Sequence, residues 1–368
     1  MKSRIYKWLI PLLILWMSGV SAGKVQAVRG EPGMPEFGFG AVVYPEGPEV
    51  QKAMEMAVDL DLDWVRVPVA WEKYQESQDG PARFEPLEPI MQTAEQNGLG
   101  VLISVSDPPE WAVTQTGPDA ELLARFILLM IDRFPNAVRA VELLPGANTR
   151  QGWGASPDPQ DYMHLFQTVD QRLRDEAAQV LLVAAGLRPL PVFHPAGDVD
   201  DLVFLEEMYR LGASQIMPVI SLQYYDVTGD PLLPPGDRKG QMLRHYEEVR
   251  QVMIKNEHQS GLIWITHLSL PSGKIRVTDS GYSDQEAQSA WISQVYMQVR
   301  SQLYLGVAFL PSLNSVGEGA AGEVLSLLNK TGETHPFYPV LRQMIRLNQA
   351  CSLLAIPGKA KEGNFVKT

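Results

Sequence analysis

The 368-residue chain has one cysteine, Cys351, which excludes an internal disulfide, a cysteine-rich zinc site and a CxxC redox motif. Late in an apolar helical stretch, that thiol reads as a small buried hydrophobe rather than a nucleophile. Positive charge is scarce as well: 31 Lys and Arg against 43 Asp and Glu leave a formal charge of −12. This disfavours nucleic acid or an anionic lipid surface as the main partner, since both need clustered Lys and Arg. It is silent on neutral ligands. His164, His194, His245, His258, His267 and His335 never fall into an HxH or HExxH spacing, so no metal is expected. G-x-S-x-G is missing too. Gly317-Glu-Gly-Ala-Ala-Gly322 satisfies G-x-G-x-x-G, but it opens no tight strand-to-helix turn and reads as a flexible loop, so no cofactor is expected.

Long apolar runs are confined to the start. Lys2, Arg4 and Lys7 precede an apolar stretch over 8–17 and small residues over 18–22, the form of a secretory signal. The alternative is an uncleaved N-terminal anchor, for which the run is short. Removing 1–22 takes away three positive charges and no acid, leaving a formal charge of −15.

What is present is a globular composition, 45% hydrophobic and 20% charged, enough for a sizeable core. Residues 23–36 lack periodicity and read as a linker. Strand patterns then recur at 37–43, 64–70, 101–105, 138–144, 180–187, 219–225, 262–268 and 305–310. Helical patterns follow them at 49–60, 86–97, 120–134, 159–178, 200–211, 241–256, 284–302 and 337–348. Alternating βα units predict a parallel sheet, and eight of them predict one α/β domain, a single (β/α)8 TIM barrel over 37–350. A C-terminal tail, 351–368, closes the chain as given and is polar and Lys-containing from 356.

In such a barrel, chemistry sits where strands end and βα loops begin. Those places hold Trp71, the segment 107–111, the segment 146–153, Gln223, Tyr224, Tyr225, His267 and the segment 311–314. Trp71, Trp111, Trp153, Tyr224 and Tyr225 suit stacking on sugar rings, or else plug the barrel top; the sequence leaves both open.

Several segments resemble a retaining clan-A glycoside hydrolase, the broad group of β-xylosidase- and cellulase-like barrels. Asp63-Trp-Val-Arg-Val-Pro-Val-Ala-Trp71 is similar to that family's second strand, and Gly98–Leu102 with Pro108-Pro-Glu-Trp-Ala112 to its third. Ser221-Leu-Gln-Tyr-Tyr225 resembles the sixth strand, Ile263-Trp-Ile-Thr-His267 the seventh, and 327–338 the segment before the last helix. The resemblance implies two carboxylates, an acid ending strand four and a nucleophile ending strand seven, about 5–5.5 Å apart. Laid on Val141-Glu-Leu-Leu-Pro-Gly-Ala-Asn148, the acid's position is Gly146; on strand seven the nucleophile's position is His267. Both catalytic carboxylates are absent where the resemblance places them. A common strand-six His is Gln223, while Tyr225 matches.

Glu142 is the substitute a shifted alignment would recruit. It lies four residues upstream, with the same strand parity but about 13 Å less reach, which suits a hydrogen-bonded core carboxylate. His267 with Glu142 as an acid–base pair competes with a satisfied barrel-mouth histidine. Glu110, Asp226 and Glu318 fall on predicted loops. Three readings follow. The first is an exported glycoside-hydrolase-like barrel that no longer hydrolyses by double displacement and binds a saccharide through Arg66, Trp71, Trp111, Asn148, Trp153 and Tyr225. The second is an active O-glycosidase with carboxylates relocated to Glu142, Glu110 or Asp226. The third is a cell-envelope scaffold. In each, membrane contact runs only through an uncleaved N-terminal segment.

Overall fold

The computed structural model describes residues 37–190, 193–224, 231–236, 242–268, 284–315, 326–329 and 331–354. The expected signal, the linker, Tyr225, Asp226, the loop holding Glu318 and the tail from 355 lie outside them.

Eight parallel strands form the barrel: β1 Gly38–Val42, β2 Trp64–Ala70, β3 Gly100–Ser106, β4 Val138–Leu143, β5 Leu181–Leu187, β6 Val219–Tyr224, β7 Leu262–Leu268 and β8 Leu305–Ser312. Each is bonded to its sequence neighbours, and β1 pairs with β8, so the sheet closes. The helices α1 Val50–Asp59, α2 Glu88–Asn97, α3 Ala120–Arg133, α4 Pro159–Glu176, α5 Asp201–Arg210, α6 Tyr246–Lys255, α7 Asp284–Arg300 and α8 Tyr338–Leu354 alternate with the strands. The single (β/α)8 barrel expected from the alternation is therefore the fold.

Local signals explain most boundaries. The Asp119, Asp158 and Asp200 carboxylates accept backbone N–H bonds at the starts of α3, α4 and α5, satisfying donors a helix start leaves unpaired. Helix α6 starts later than the apolar pattern suggests, because Leu243–His245 forms a tighter 3-10 turn first. The short helix Trp71–Tyr74 and the hairpin pairing Val113–Thr114 with Gly117–Pro118 had no periodic signature.

The barrel seam between β1 and β8 is fastened by Asn314. Its Oδ1 accepts from Tyr44 N at 2.9 Å, while its Nδ2 donates to Tyr44 O at 2.9 Å and Pro48 O at 3.1 Å. Lower in the barrel, Val42, Trp64, Leu102, Ala140, Val183, Val219, Trp264, Val307 and Phe309 form one apolar layer of inward side chains. Trp264 meets Trp64 edge-on at 5.1 Å between centroids and packs on Phe309 at 6.2 Å. Three large rings fit only because a facing strand yields space. A Cβ at Gly40 would lie 2.6 Å from the Phe309 ring. Gly40→Ala is expected to cost about 1–3 kcal/mol by overpacking. Urea midpoints check this, with Phe309→Leu as the second-site change that recovers part of the loss.

Candidate functional site

The layer above the apolar one is polar, and strand alternation puts it there. Side chains two residues apart share a face. Two residues beyond Trp64, Leu102, Ala140, Val219 and Trp264 stand Arg66, Ser104, Glu142, Ser221 and Thr266. All five are buried. Gln223 joins them from β6, where the register against β7 slips by one residue between Leu222 and Gln223.

Glu142 is the hub. Its Oε1 accepts from the Ser221 hydroxyl at 2.7 Å and the Thr266 hydroxyl at 2.5 Å. Its Oε2 accepts from Arg66 Nε at 3.3 Å, Gln223 Nε2 at 3.3 Å and the Ser104 hydroxyl. Arg66 also donates to Ser104 at 2.7 Å, and Ser221 accepts from Gly186 N at 2.8 Å. Strands β2, β3, β6 and β7 thus converge on one carboxylate of β4, which has no exposed surface. No other acidic residue occurs in any of the eight strands. With both oxygens occupied from within the protein, Glu142 is not presented to a glycosidic oxygen.

Gly146 lies beyond β4 with φ +80°, and its N–H donates to Gly186 O at 2.7 Å. Its own carbonyl accepts from Thr149 N and Thr149 Oγ1, both at 2.8 Å. Leu144 (φ 49°) and Ala185 (φ 73°) flank this stitch in the left-handed region, a costly conformation for residues with a Cβ. At Gly146, where the sequence resemblance places the acid, there is no side chain and the backbone is turned and tied to β5. A glutamate substituted there would carry the same left-handed strain.

His267 is 5% exposed. Burial pushes its pKa down to about 3, helped by the positive charges of Arg66 and Arg188, so the ring is neutral near pH 7. A neutral imidazole in this position is neither the proton donor nor the carboxylate nucleophile of double displacement.

The other sequence-derived residues separate by burial. Trp71 is fully buried, donates from Nε1 to Gln75 Oε1 at 3.1 Å, and stacks on Phe126 with centroids 5.2 Å apart. Trp153 is 1% exposed and donates to Thr116 O at 3.0 Å. Neither has a free face on which a sugar ring can stack. Tyr224 is likewise fully buried. Asn148, also buried, accepts from Arg188 N and donates to Arg188 O and Val199 O, each at 2.9 Å, so its amide ties the chain after β5. Arg66 is spent on Glu142. Half-buried Trp111 meets Trp71 edge-on and donates to Glu76 O at 3.2 Å, while Glu110 beside it is exposed. Among the described residues, no group of three or more His, Cys, Asp or Glu is placed to hold a metal ion.

Ser104 and Ser221 escaped the sequence reading. The signal was there: in five strands the position two after an inward bulky or apolar residue turns polar, marking one barrel level.

No protein-family model and no curated protein matches this sequence. Solved structures do. A family 39 glycoside hydrolase from the gut symbiont Bacteroides cellulosilyticus WH2 aligns at TM-score 0.63 and 15% identity, covering 85% of this chain and 64% of that one. The GH39 enzyme from Xanthomonas axonopodis pv. citri aligns at TM-score 0.61 and 12% identity, covering 86% and 68%. The family 1 β-glucosidase from Thermotoga maritima aligns at TM-score 0.57 and 13% identity, covering 85% and 98%. This chain thus spans slightly under two thirds of the Bacteroides protein and nearly all of the Thermotoga one. With its closed eight-stranded parallel sheet, the chain has the (β/α)8 fold of the clan-A glycoside hydrolases.

Proposed function

We propose that this chain is an exported, non-hydrolytic barrel of glycoside-hydrolase fold that binds a saccharide at the C-terminal rim of its strands. The observation that carries the reading is the occupancy of the catalytic level. The only strand carboxylate, Glu142, is saturated by five internal donors, and the family's acid and nucleophile positions are Gly146 and His267. Losing both carboxylates removes the proton donor and the nucleophile together, and double displacement needs both. Saccharide binding draws its support from the fold and from Trp111, which among the described residues is the expected aromatic that keeps part of its surface at the rim. Export rests on the basic, apolar and small-residue order of residues 1–22.

The burial of Trp71, Asn148 and Trp153 favours a second reading, in which the barrel is a scaffold without a sugar site. One assay series separates the possibilities. The purified protein is expected to release no product from a panel of aryl glycosides and polysaccharides, yet to bind at least one polysaccharide, with Trp111→Ala weakening that binding. Turnover abolished by Glu110→Gln or Asp226→Asn would establish a relocated acid pair and overturn the proposal. Absence of both turnover and binding leaves the scaffold. Mass spectrometry of the exported protein tests removal of residues 1–22.

A further inference from the structure

The segment following β5 has a feature that the barrel does not use. Phe193 is 93% exposed, more than any other large apolar residue described. Exposed apolar residues are ordinary when scattered over helix faces; here the ring stands on a loop that the rest of the mouth holds in place. Buried Asn148 bonds both ends of that loop. Its amide joins Arg188 through N and O, and Val199 through O, while Val199 N donates to Asn148 O at 2.8 Å. Asp198 accepts from Arg150 N at 2.8 Å, a further tie to the loop after β4. Pro189 and Pro195 flank the aromatic in sequence, each with a fixed φ. An anchored base and a proline-stiffened surround lower the ordering cost of any contact made by the ring.

The chemistry selects the occupant. A stable protein interface buries about 800 Å² on each side, whereas one phenylalanine supplies roughly 150–250 Å². An anionic membrane surface wants flanking Lys and Arg, but Asp198 and Asp200 lie at the end of this loop and Arg188 is the one Lys or Arg between β5 and α5. A neutral pyranose needs one flat apolar face and polar neighbours for its hydroxyls, and His194 stands next to the ring in sequence. We infer that Phe193 is a stacking platform for one residue of a neutral polysaccharide, which lies across the outer rim of the barrel instead of entering its polar core. The inference rests on the saccharide-binding reading above and specifies where that ligand sits.

The test measures depletion of the full chain from solution by cellulose, xylan, mannan and chitin, alongside vesicles of phosphatidylethanolamine and phosphatidylglycerol. The wild-type protein binds at least one polysaccharide. Phe193→Ala weakens this binding about tenfold or more with an unchanged melting temperature, and Phe193→Trp retains it. Asn148→Ala, which frees the loop base, weakens it as well. Wild-type binding that Phe193→Ala leaves intact overturns the platform while the saccharide reading stands. Failure of the wild-type protein on every polysaccharide overturns both. Phe193-dependent binding to vesicles alone overturns the platform in favour of a membrane contact.

Discussion

Glu142→Ala is expected to destabilise the protein by about 3–5 kcal/mol, the range for breaking a buried ion pair from one side. The substitution strands Arg66, 4% exposed, without its carboxylate, and leaves the Ser104, Ser221, Gln223 and Thr266 donors without the acceptor they share. Ser221 and Thr266 retain the Ala184 and Leu222 carbonyls as acceptors, but buried Arg66 keeps a charge with no counterion, so the loss exceeds what one hydrogen bond is worth. Glu142→Gln keeps shape and one acceptor and should fall between alanine and wild type. The decisive comparison is Arg66→Met with Glu142→Ala, whose double-mutant loss should be well below the sum of the single losses, because each removes what the other leaves uncompensated. Additive losses would show that Arg66 and Glu142 are not coupled and that the hub assignment is wrong. Urea unfolding supplies all four numbers, and none depends on substrate.

The same residues show what a single sequence reveals. Eight apolar segments alternating with eight amphipathic ones were legible because burial enforces period two on strands and period 3.6 on helices. The core role of Glu142 was legible too, since its parity matched its inward neighbours and its reach fell short of the mouth. Other features depended on the third dimension. Trp71 is buried on Phe126 of α3 and Trp153 is bonded to Thr116 in the loop after β3, through contacts between distant segments that no local pattern encodes. Left-handed Leu144 and Ala185 were invisible because nothing in leucine or alanine advertises positive φ. Asn148 carried family meaning as a neighbour of the acid's position, yet its work here is to hold the loop that presents Phe193. The layout shared with the glycoside hydrolases is one of fold, and the polar level above the apolar layer is knit together around Glu142.

Stability should also depend on pH in two windows, an alkaline one set by His245 and an acid one led by His267. His245 is 2% exposed and sits between Asp201 Oδ2, 2.6 Å from Nε2, and Glu248 Oε2, 2.7 Å from Nδ1. Burial alone would hold it neutral, but the charge and hydrogen bond of Asp201, then those of Glu248, outweigh burial and push its pKa up to about 9. A raised pKa means the folded state holds the proton more tightly than the unfolded one. The stabilisation is therefore complete below pH 6.5 and disappears as pH rises through 9, amounting to about 3 kcal/mol. His267 works in the opposite sense. Its pKa, down at about 3, means that below pH 6.5 the unfolded chain takes up a proton the folded ring refuses, so stability falls by about 1.4 kcal/mol per pH unit toward pH 3. His258, lowered by burial and Arg250, and His335, lowered by burial, steepen the acid limb. Buried tyrosines such as Tyr162 and Tyr296 act only above their ordinary value of 10, so the interval from 6.5 to 9 reports His245. Urea midpoints from pH 4 to 10 should peak near neutrality. His245→Gln should flatten the alkaline limb below pH 9 and His267→Gln should shallow the acid one. An alkaline limb that survives His245→Gln would mean that the Asp201–His245–Glu248 cluster is not what binds the extra proton.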